Sequence, residues 1–286
     1  MKKWLIIDCN YLCHRAKHSM GGLSHGNTPT GIIYGFLKSI QALQDQFNTQ
    51  HIIFCWDSKT SKRKDIFPDY KKKRANRYKD LTKKEIKFEK AFRHQMKMLR
   101  TKYLKLIGYK NNFVQAGYEG DDIMASITLN LKMNDEAILV TSDKDMYQLI
   151  SPKVSFFNPS KGKLFTYQKF MQKYRMPTYD WGSMKCLAGC TTDEVPGIKG
   201  VGEKTAIKYI RMDLKPTTKA YQRIVSKKGL RIEKRNRKLV VLPFDGVKNF
   251  KLRKDELSNK GWKKVIEELG MKSLRDKGPE RNRKRR

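Results

Sequence analysis

The chain has 286 residues, enough for one large domain or two smaller ones with a buried core. Its 63 Lys and Arg against 28 Asp and Glu leave a formal charge of +35, which points to a polyanionic partner, because each neutralised phosphate releases condensed counterions. No apolar stretch is long enough to span a bilayer, and the short run at 4–7 stops at Asp8 instead of continuing as an export signal; a cytoplasmic location with no membrane role is expected. Five cysteines, an odd number, then read as reduced thiols. Cys9 with Cys13, and Cys186 with Cys190, are each four apart, but zinc sites of that spacing need further ligands, and buried structural thiols are expected.

In chain order, the first element is the apolar run 4–8 (WLIID), followed by a helical stretch at 32–47. The second run, 51–57 (HIIFCWD), leads into a segment at 59–79 dominated by Lys and Arg, with Phe67, Tyr70 and Tyr78 between them, too polar for a core. Helical patterning returns at 83–106 and 121–133, and a third run, 137–143 (AILVTSD), follows. Continuous apolar runs rich in β-branched residues read as strands buried on both faces of a parallel sheet. Their alternation with helices predicts an α/β fold with a mostly parallel central sheet flanked by helices. From about 193 onward short helices surround a Gly-rich turn. After 227 the chain reads as basic and irregular, with an extended apolar piece at 239–242, and 275–286 reads as a disordered charged tail.

Each of the three runs ends in an aspartate: Asp8, Asp57 and Asp143. In open parallel sheets ligands bind beyond the carboxyl ends of the strands, so these acids are expected to face one crevice. A second group, Glu119, Asp121 and Asp122, opens a helix, where acids also suit the positive end of the dipole, and Asp145 follows Asp143 by two residues. Clustered carboxylates repel one another and protonate unless a cation sits among them. Oxygen-only donors point to Mg²⁺ or Mn²⁺ rather than zinc. A pair of such ions can activate water and stabilise the leaving oxygen in phosphodiester cleavage.

The Gly-rich turn Gly197-Ile198-Lys199-Gly200-Val201-Gly202-Glu203-Lys204 is not an ATP-binding loop, because Glu203 stands where that loop needs lysine, and no strand precedes it as a dinucleotide site requires. A helix–hairpin–helix turn fits better, its glycine amides holding a DNA phosphate at a helix N-terminus. Ile198 and Val201 would pack the hairpin, with Lys199 and Lys204 adding charge.

Asp8 with Asn10, Leu12, Arg15 and Ala16 opens an ordered series of motifs. It continues through Thr30-Gly31-Ile32-Ile33-Tyr34-Gly35-Phe36, Trp56-Asp57, and Arg63 followed by Pro68-Asp69-Tyr70-Lys71. It ends with Glu119-Gly120-Asp121-Asp122, Thr141-Ser142-Asp143-Lys144-Asp145, and the stretch from Asp193 to Gly202. Over roughly residues 1–210 the series resembles the 5′ nuclease family, which includes bacteriophage flap endonucleases, 5′→3′ exonucleases and the 5′ nuclease domain of bacterial DNA polymerase I.

The resemblance implies that Asp8, Asp57, Glu119, Asp121, Asp122, Asp143, Asp145 and Asp193 hold two Mg²⁺ or Mn²⁺ ions. It implies a helical arch at about 59–93 over the active site, through which a single-stranded 5′ end passes, with Lys71 and Arg74 facing the scissile phosphate. Arg15, Arg63, Tyr70, Lys72 and Arg77 are then expected on DNA, as are Gly197, Lys199, Gly200, Gly202 and Lys204, with a potassium ion bridging hairpin and phosphate. The expected organisation is a nuclease core at 1–186, a helix–hairpin–helix region at 187–274 and the tail at 275–286. The expected activity is a structure-specific 5′ nuclease, 5′→3′ exonuclease and flap endonuclease, working as a monomer on DNA with free 5′ ends, flaps or nicks. The alternatives are removal of RNA from RNA–DNA hybrids and a catalytically weak DNA-binding paralogue; a small PIN-like ribonuclease would lack the arch and hairpin. Two departures from the family pattern stand out. Cys190 replaces an aspartate three positions before Asp193, and the spacing from Asp57 to Arg63 is one residue short.

Overall fold

A computed structural model describes residues 1–76 and 80–279. The chain begins with β1 (Lys3–Asp8), α1 (Cys9–Met20), a small hairpin of β2 (Ser24–His25) and β3 (Thr28–Pro29), α2 (Gly31–Phe47) and β4 (His51–Cys55). Next come α3 (Arg63–Ile66), α4 (Lys72–Asn76), α5 (Lys83–Met98), α6 (Leu104–Ile107), β5 (Asn112–Phe113), α7 (Gly120–Leu129) and β6 (Glu136–Val140). Then follow β7 (Val154–Asn158), β8 (Lys163–Phe165), α8 (Tyr167–Tyr174), α9 (Asp180–Ala188), and the short pair β9 (Gly189–Cys190) and β10 (Val195–Pro196). The last helices are α10 (Glu203–Ile210), α11 (Lys219–Val225), α12 (Lys227–Val240) and α13 (Asn259–Glu268). The fold is α/β, with mostly parallel sheet strands flanked by helices. Among the described residues no helix is long and apolar enough to cross a membrane.

The chain divides into two compact units. One comprises Lys2–Trp56, Leu81–Phe113 and Lys251–Arg286. Here β4 lies between β1 and β5, parallel to both, with Trp4 opposite His51 and Phe54 opposite Asn112. Leu5, Ile6, Ile7, Ile53 and Phe54 are buried, as expected of strands covered on both faces. Asp8 caps α1, its carboxylate accepting a bond from the Tyr11 amide at 2.9 Å. Helix α2 begins without a side-chain cap of its own; the buried Gln95 of α5 instead accepts from the Ile32 amide at 3.0 Å. Gly35 lets α1 and α2 approach closely, since a Cβ there would sit 2.8 Å from that of Ala16. The helical stretch expected at 83–106 is continuous: α5 passes through a π-helical turn at Leu99–Tyr103 into α6.

The other unit comprises Asp57–Asp80 and Val114–Phe250, with Met1. Strand β6 runs parallel to β7, which pairs antiparallel with β8. Tyr147, Phe156, Phe165, Phe170, Tyr174 and Trp181 pack together beside them, mostly in edge-on or tilted pairs. Two sequence expectations are corrected here. The stretch after 227 is not irregular but forms α12, which Ser226 caps by accepting from the Gly229 amide, and Val240 belongs to that helix rather than to an extended piece. Helix α7 ends at Leu129, four residues earlier than expected. The boundary expected after residue 186 falls inside α9. Of the tail, 280–286 lie outside the described residues.

Candidate active site

The chain leaving β4 meets the start of α7, because Asp57 Oδ1 accepts from the Gly120 amide at 2.7 Å. Glu119, the N-cap of α7, accepts bonds from Tyr70 Oη at 2.9 Å and Lys71 Nζ at 2.6 Å. Asp121 follows in the first turn, its Oδ1 buried and without a hydrogen-bond partner among the described residues. The electrostatics are those of a negative pocket. Burial, then the Glu119 carboxylate, pushes the Asp57 carboxyl above its ordinary range. Burial, then Asp122, pushes Asp121 up further. Burial acts the same way on Glu119, but Lys71 and Arg63 outweigh it and hold that carboxyl low.

A second group comes from the turn after β6 and from the β9–β10 connection. Asp143 caps a 3₁₀ turn, its Oδ1 accepting from the Asp145 amide at 2.8 Å. Desolvation, then the Asp145 carboxylate, pushes Asp143 up to about 6. Asp145 Oδ1 lies 2.7 Å from Lys185 Nζ, and its Oδ2 accepts from the Cys190 thiol at 3.6 Å. Burial followed by Asp145 lifts that thiol to about 11. One donor atom each from Asp145, Cys190 and Asp193 lies within 4.8 Å of the others.

Residues 70–74 tie the two groups together. Lys71 Nζ is 3.6 Å from Asp193 Oδ1 as well as bonded to Glu119, and Arg74 reaches the same Asp193 oxygen at 3.1 Å. Lys71 has φ of +54°, uncommon for a residue with a side chain. The turn is held in place by the Lys71 amide on the Asp193 carbonyl at 3.1 Å and the Lys73 amide on the Glu194 carboxylate at 2.8 Å. Arg74 is 61 % exposed and Lys72, paired with Asp69 at 2.9 Å, is equally open; Arg77 lies outside the described residues. Asp8 and the exposed Arg15, which lies 3.4 Å from Ser39 Oγ, belong to the other unit.

Three expected site residues have other roles. Arg63 is not available to DNA: it is 2 % exposed, forks onto both oxygens of Asp122 at 2.7 Å, and lies over the Phe244 ring at 4.9 Å. Asp122 is not available to a metal, because those oxygens also accept from the Glu119 and Phe244 amides at 3.0 and 2.9 Å, filling its acceptor sites. Tyr70 is buried with its hydroxyl on Glu119, so it cannot stack on a base. Lys185 and Glu194 were missed, since a lysine inside a helix and an acid beside a glycine-rich turn carry no local signal.

Gly197, Lys199, Gly200 and Gly202 lie in the turn between α9 and α10, and Lys204 in the first turn of α10. Ile198 and Val201 are buried beneath it, while Lys199, Gly200, Gly202 and Lys204 are exposed. Gly200 has φ of +77°, and Arg223 braces the turn by donating to the Lys199 carbonyl at 3.1 Å. Helix α10 starts without a side-chain cap.

The family model described as 5′-3′ exonuclease, N-terminal resolvase-like domain, matches residues 3–175. The chain belongs to this family. It is 32 % identical over 210 residues to a 5′-3′ exonuclease of Buchnera aphidicola, covering 72 % of this chain and 69 % of that one. A 5′-3′ exonuclease of Bacillus subtilis is 32 % identical over 220 residues, 73 % of this chain and 70 % of its own length. The thermostable DNA polymerase I of Thermus thermophilus is 30 % identical over 210 residues, and the chain spans only 24 % of that protein. The fold matches the zinc-bound T5 5′-exonuclease with TM-score 0.68 at 23 % identity, over 85 % of this chain and 90 % of that one.

In this 5′-3′ exonuclease family member the two acid groups differ in their fitness for a divalent ion. Asp57, Glu119 and Asp121 offer oxygen donors only, and the unpartnered, buried Asp121 Oδ1 is an atom that a hard cation would satisfy. The Asp145–Cys190–Asp193 group does not fit a second hard cation: one donor is a thiol, and an ammonium already occupies Asp145.

Proposed function

We propose that the chain is a structure-specific 5′ nuclease, both 5′→3′ exonuclease and flap endonuclease, hydrolysing DNA phosphodiesters with Mg²⁺ or Mn²⁺. One observation carries this reading: Asp57, Glu119 and Asp121 meet around Lys71 in a chain of net charge +35. A pure DNA-binding protein has no use for desolvated negative charge beside a phosphate.

Asp57, Glu119 and Asp121 would hold the ion; Asp143, which lies with Asp145 and Asp193, and Asp8 enter on their motifs alone. A divalent ion in such a site lowers the pKa of water and stabilises charge on the leaving oxygen. Lys71 places an ammonium at the edge of the acid pocket, where it offsets charge building on the phosphate, and exposed Arg74 adds a second donor. Buried Tyr70 and Arg63 fix Glu119 in position. The uncapped start of α10, with Lys199 and Lys204, supports a helix–hairpin–helix grip on duplex phosphate, with potassium as the bridging ion. Lys72 lies exposed beside the 5′ end's proposed path.

End-labelled 5′-flap, nicked, linear duplex and RNA–DNA substrates, each with Mg²⁺, Mn²⁺ or EDTA, test the reading. Metal-dependent release of short 5′ products supports it, and cleavage insensitive to EDTA overturns it. Preference for the hybrid would reassign the enzyme to primer RNA removal.

A further inference from the structure

The Asp145–Cys190–Asp193 group lies apart from the oxygen-only acids in its chemistry. Lys185, on α9, reaches it from the helix that leads into β9, and Cys190 ends β9. The Lys185 and Asp145 side chains are 16 % and 11 % exposed, so the 2.7 Å contact is a sheltered ion pair rather than a surface one. Both oxygens of Asp145 are engaged, one by the ammonium and one by the Cys190 thiol, which also meets Thr192 Oγ1 at 3.1 Å. Asp193 is shared in turn with Lys71 and Arg74.

A hard divalent ion entering here would have to expel the ammonium from Asp145. It would then gain a sulfur donor where it requires oxygen, beside an Asp193 carboxylate already shared with two cations and an Asp143 carboxylate whose Oδ1 is held by the Asp145 amide. An ammonium, by contrast, needs no dehydration to a fixed coordination number and is already seated against the acid.

We propose that Lys185 serves as a built-in cation at this position, so that the chain holds one tightly bound hard divalent ion although its acids are numerous enough for two. The inference rests on the metal-dependent reading of the oxygen-only group. Lys185 then neutralises the Asp143–Asp145–Asp193 side of the site permanently, and activation by Mg²⁺ is a single-ion event.

The test counts bound Mn²⁺ on the full chain by electron paramagnetic resonance, from loss of the free-ion signal. One tight Mn²⁺ per wild-type chain is expected, and a second should appear in the double variant Lys185→Gln/Cys190→Asp, whose melting temperature is measured on the same sample. Lys185→Gln alone should lower cleavage about 100-fold, the usual scale for losing a charge-stabilising donor, with partial recovery in Lys185→Arg. Two Mn²⁺ of comparable affinity on the wild-type chain would overturn the inference while leaving the metal-dependent reading intact. No bound Mn²⁺ and no metal-dependent cleavage would remove both. A thiolate-to-Cd²⁺ absorption band at equimolar Cd²⁺, lost in Cys190→Ser, would also overturn it, because the position would then be an open soft-metal site. The wild-type count stands whether or not the double variant folds.

Discussion

Asp122→Asn replaces a carboxylate whose two oxygens accept four bonds: two from Arg63, one from the Glu119 amide and one from the Phe244 amide. An asparagine offers one acceptor oxygen, so its NH₂ must face two of those donors in either orientation. The Arg63 charge, 2 % exposed, loses its two-oxygen partner and keeps the Glu119 carboxylate at 3.6 Å and the field of Asp121. Breaking a buried ion pair from one side costs about 3–5 kcal/mol, since the remaining charge stays desolvated. At roughly 2–4 °C per kcal/mol for a chain of this size class, the melting temperature should fall on the order of 10 °C. The assay is thermal unfolding followed by circular dichroism, with flap cleavage measured well below the transition. The folded variant should retain a substantial fraction of its activity. A melting temperature within about 2 °C of wild type, coupled with cleavage lowered by orders of magnitude, would refute the strut role and return Asp122 to the metal ligands.

Asp121→Asn should remove cleavage by about 1,000-fold while leaving DNA binding intact, and in EDTA it should raise the melting temperature, because it deletes a desolvated carboxylate facing Asp122 and Glu119; a lowered melting temperature in EDTA counts against the repulsive pocket. Asp143, with its carboxyl at about 6 in the metal-free fold, binds more protons folded than unfolded. Its stabilising contribution is therefore present below about pH 4 and lost as pH rises through about 6, so Asp143→Asn in EDTA should flatten the fall of melting temperature across that window; parallel wild-type and variant curves would exclude it. Lys71→Ala should lower the cleavage rate about 100-fold or more at saturating flap, as expected for losing an ammonium beside the scissile phosphate. A wild-type rate would leave Lys71 as no more than a partner of Glu119.

The strands and early helices were legible because their signal is local. Leu5–Ile7 and Ile52–Phe54 are continuous apolar runs, and burial on both faces is what such runs require. Helix α12 was illegible for an equally specific reason. Its buried stripe is Gly229, Asn236, Leu239 and Val240, and the asparagine at its centre breaks the apolar period on which a helix is read. Asn236 is buried because its amide donates to the Cys186 and Pro196 carbonyls at 2.9 and 3.0 Å, partners that no window around 236 contains.

The same distinction governs the site. The acids could be found because an aspartate past a strand end and an acid at a helix start are positions that short motifs encode. What each acid does depends on the cations that reach it, and those come from far along the chain. Arg63 and Tyr70 read as part of a solvated basic arm, yet Arg63 is enclosed by Asp122, 59 residues on, and the Leu239 carbonyl, 176 residues on. Once Arg63 takes Asp122, that acid is neutralised and Asp121 beside it keeps a bare oxygen. Lys185 acts on Asp145 in the same way from α9. Cations within the fold thus divide one run of carboxylates into acids that are structurally committed and acids left to bind an ion. If Lys185 is the built-in cation proposed above, that division, rather than the number of acids, sets how many divalent ions the site holds.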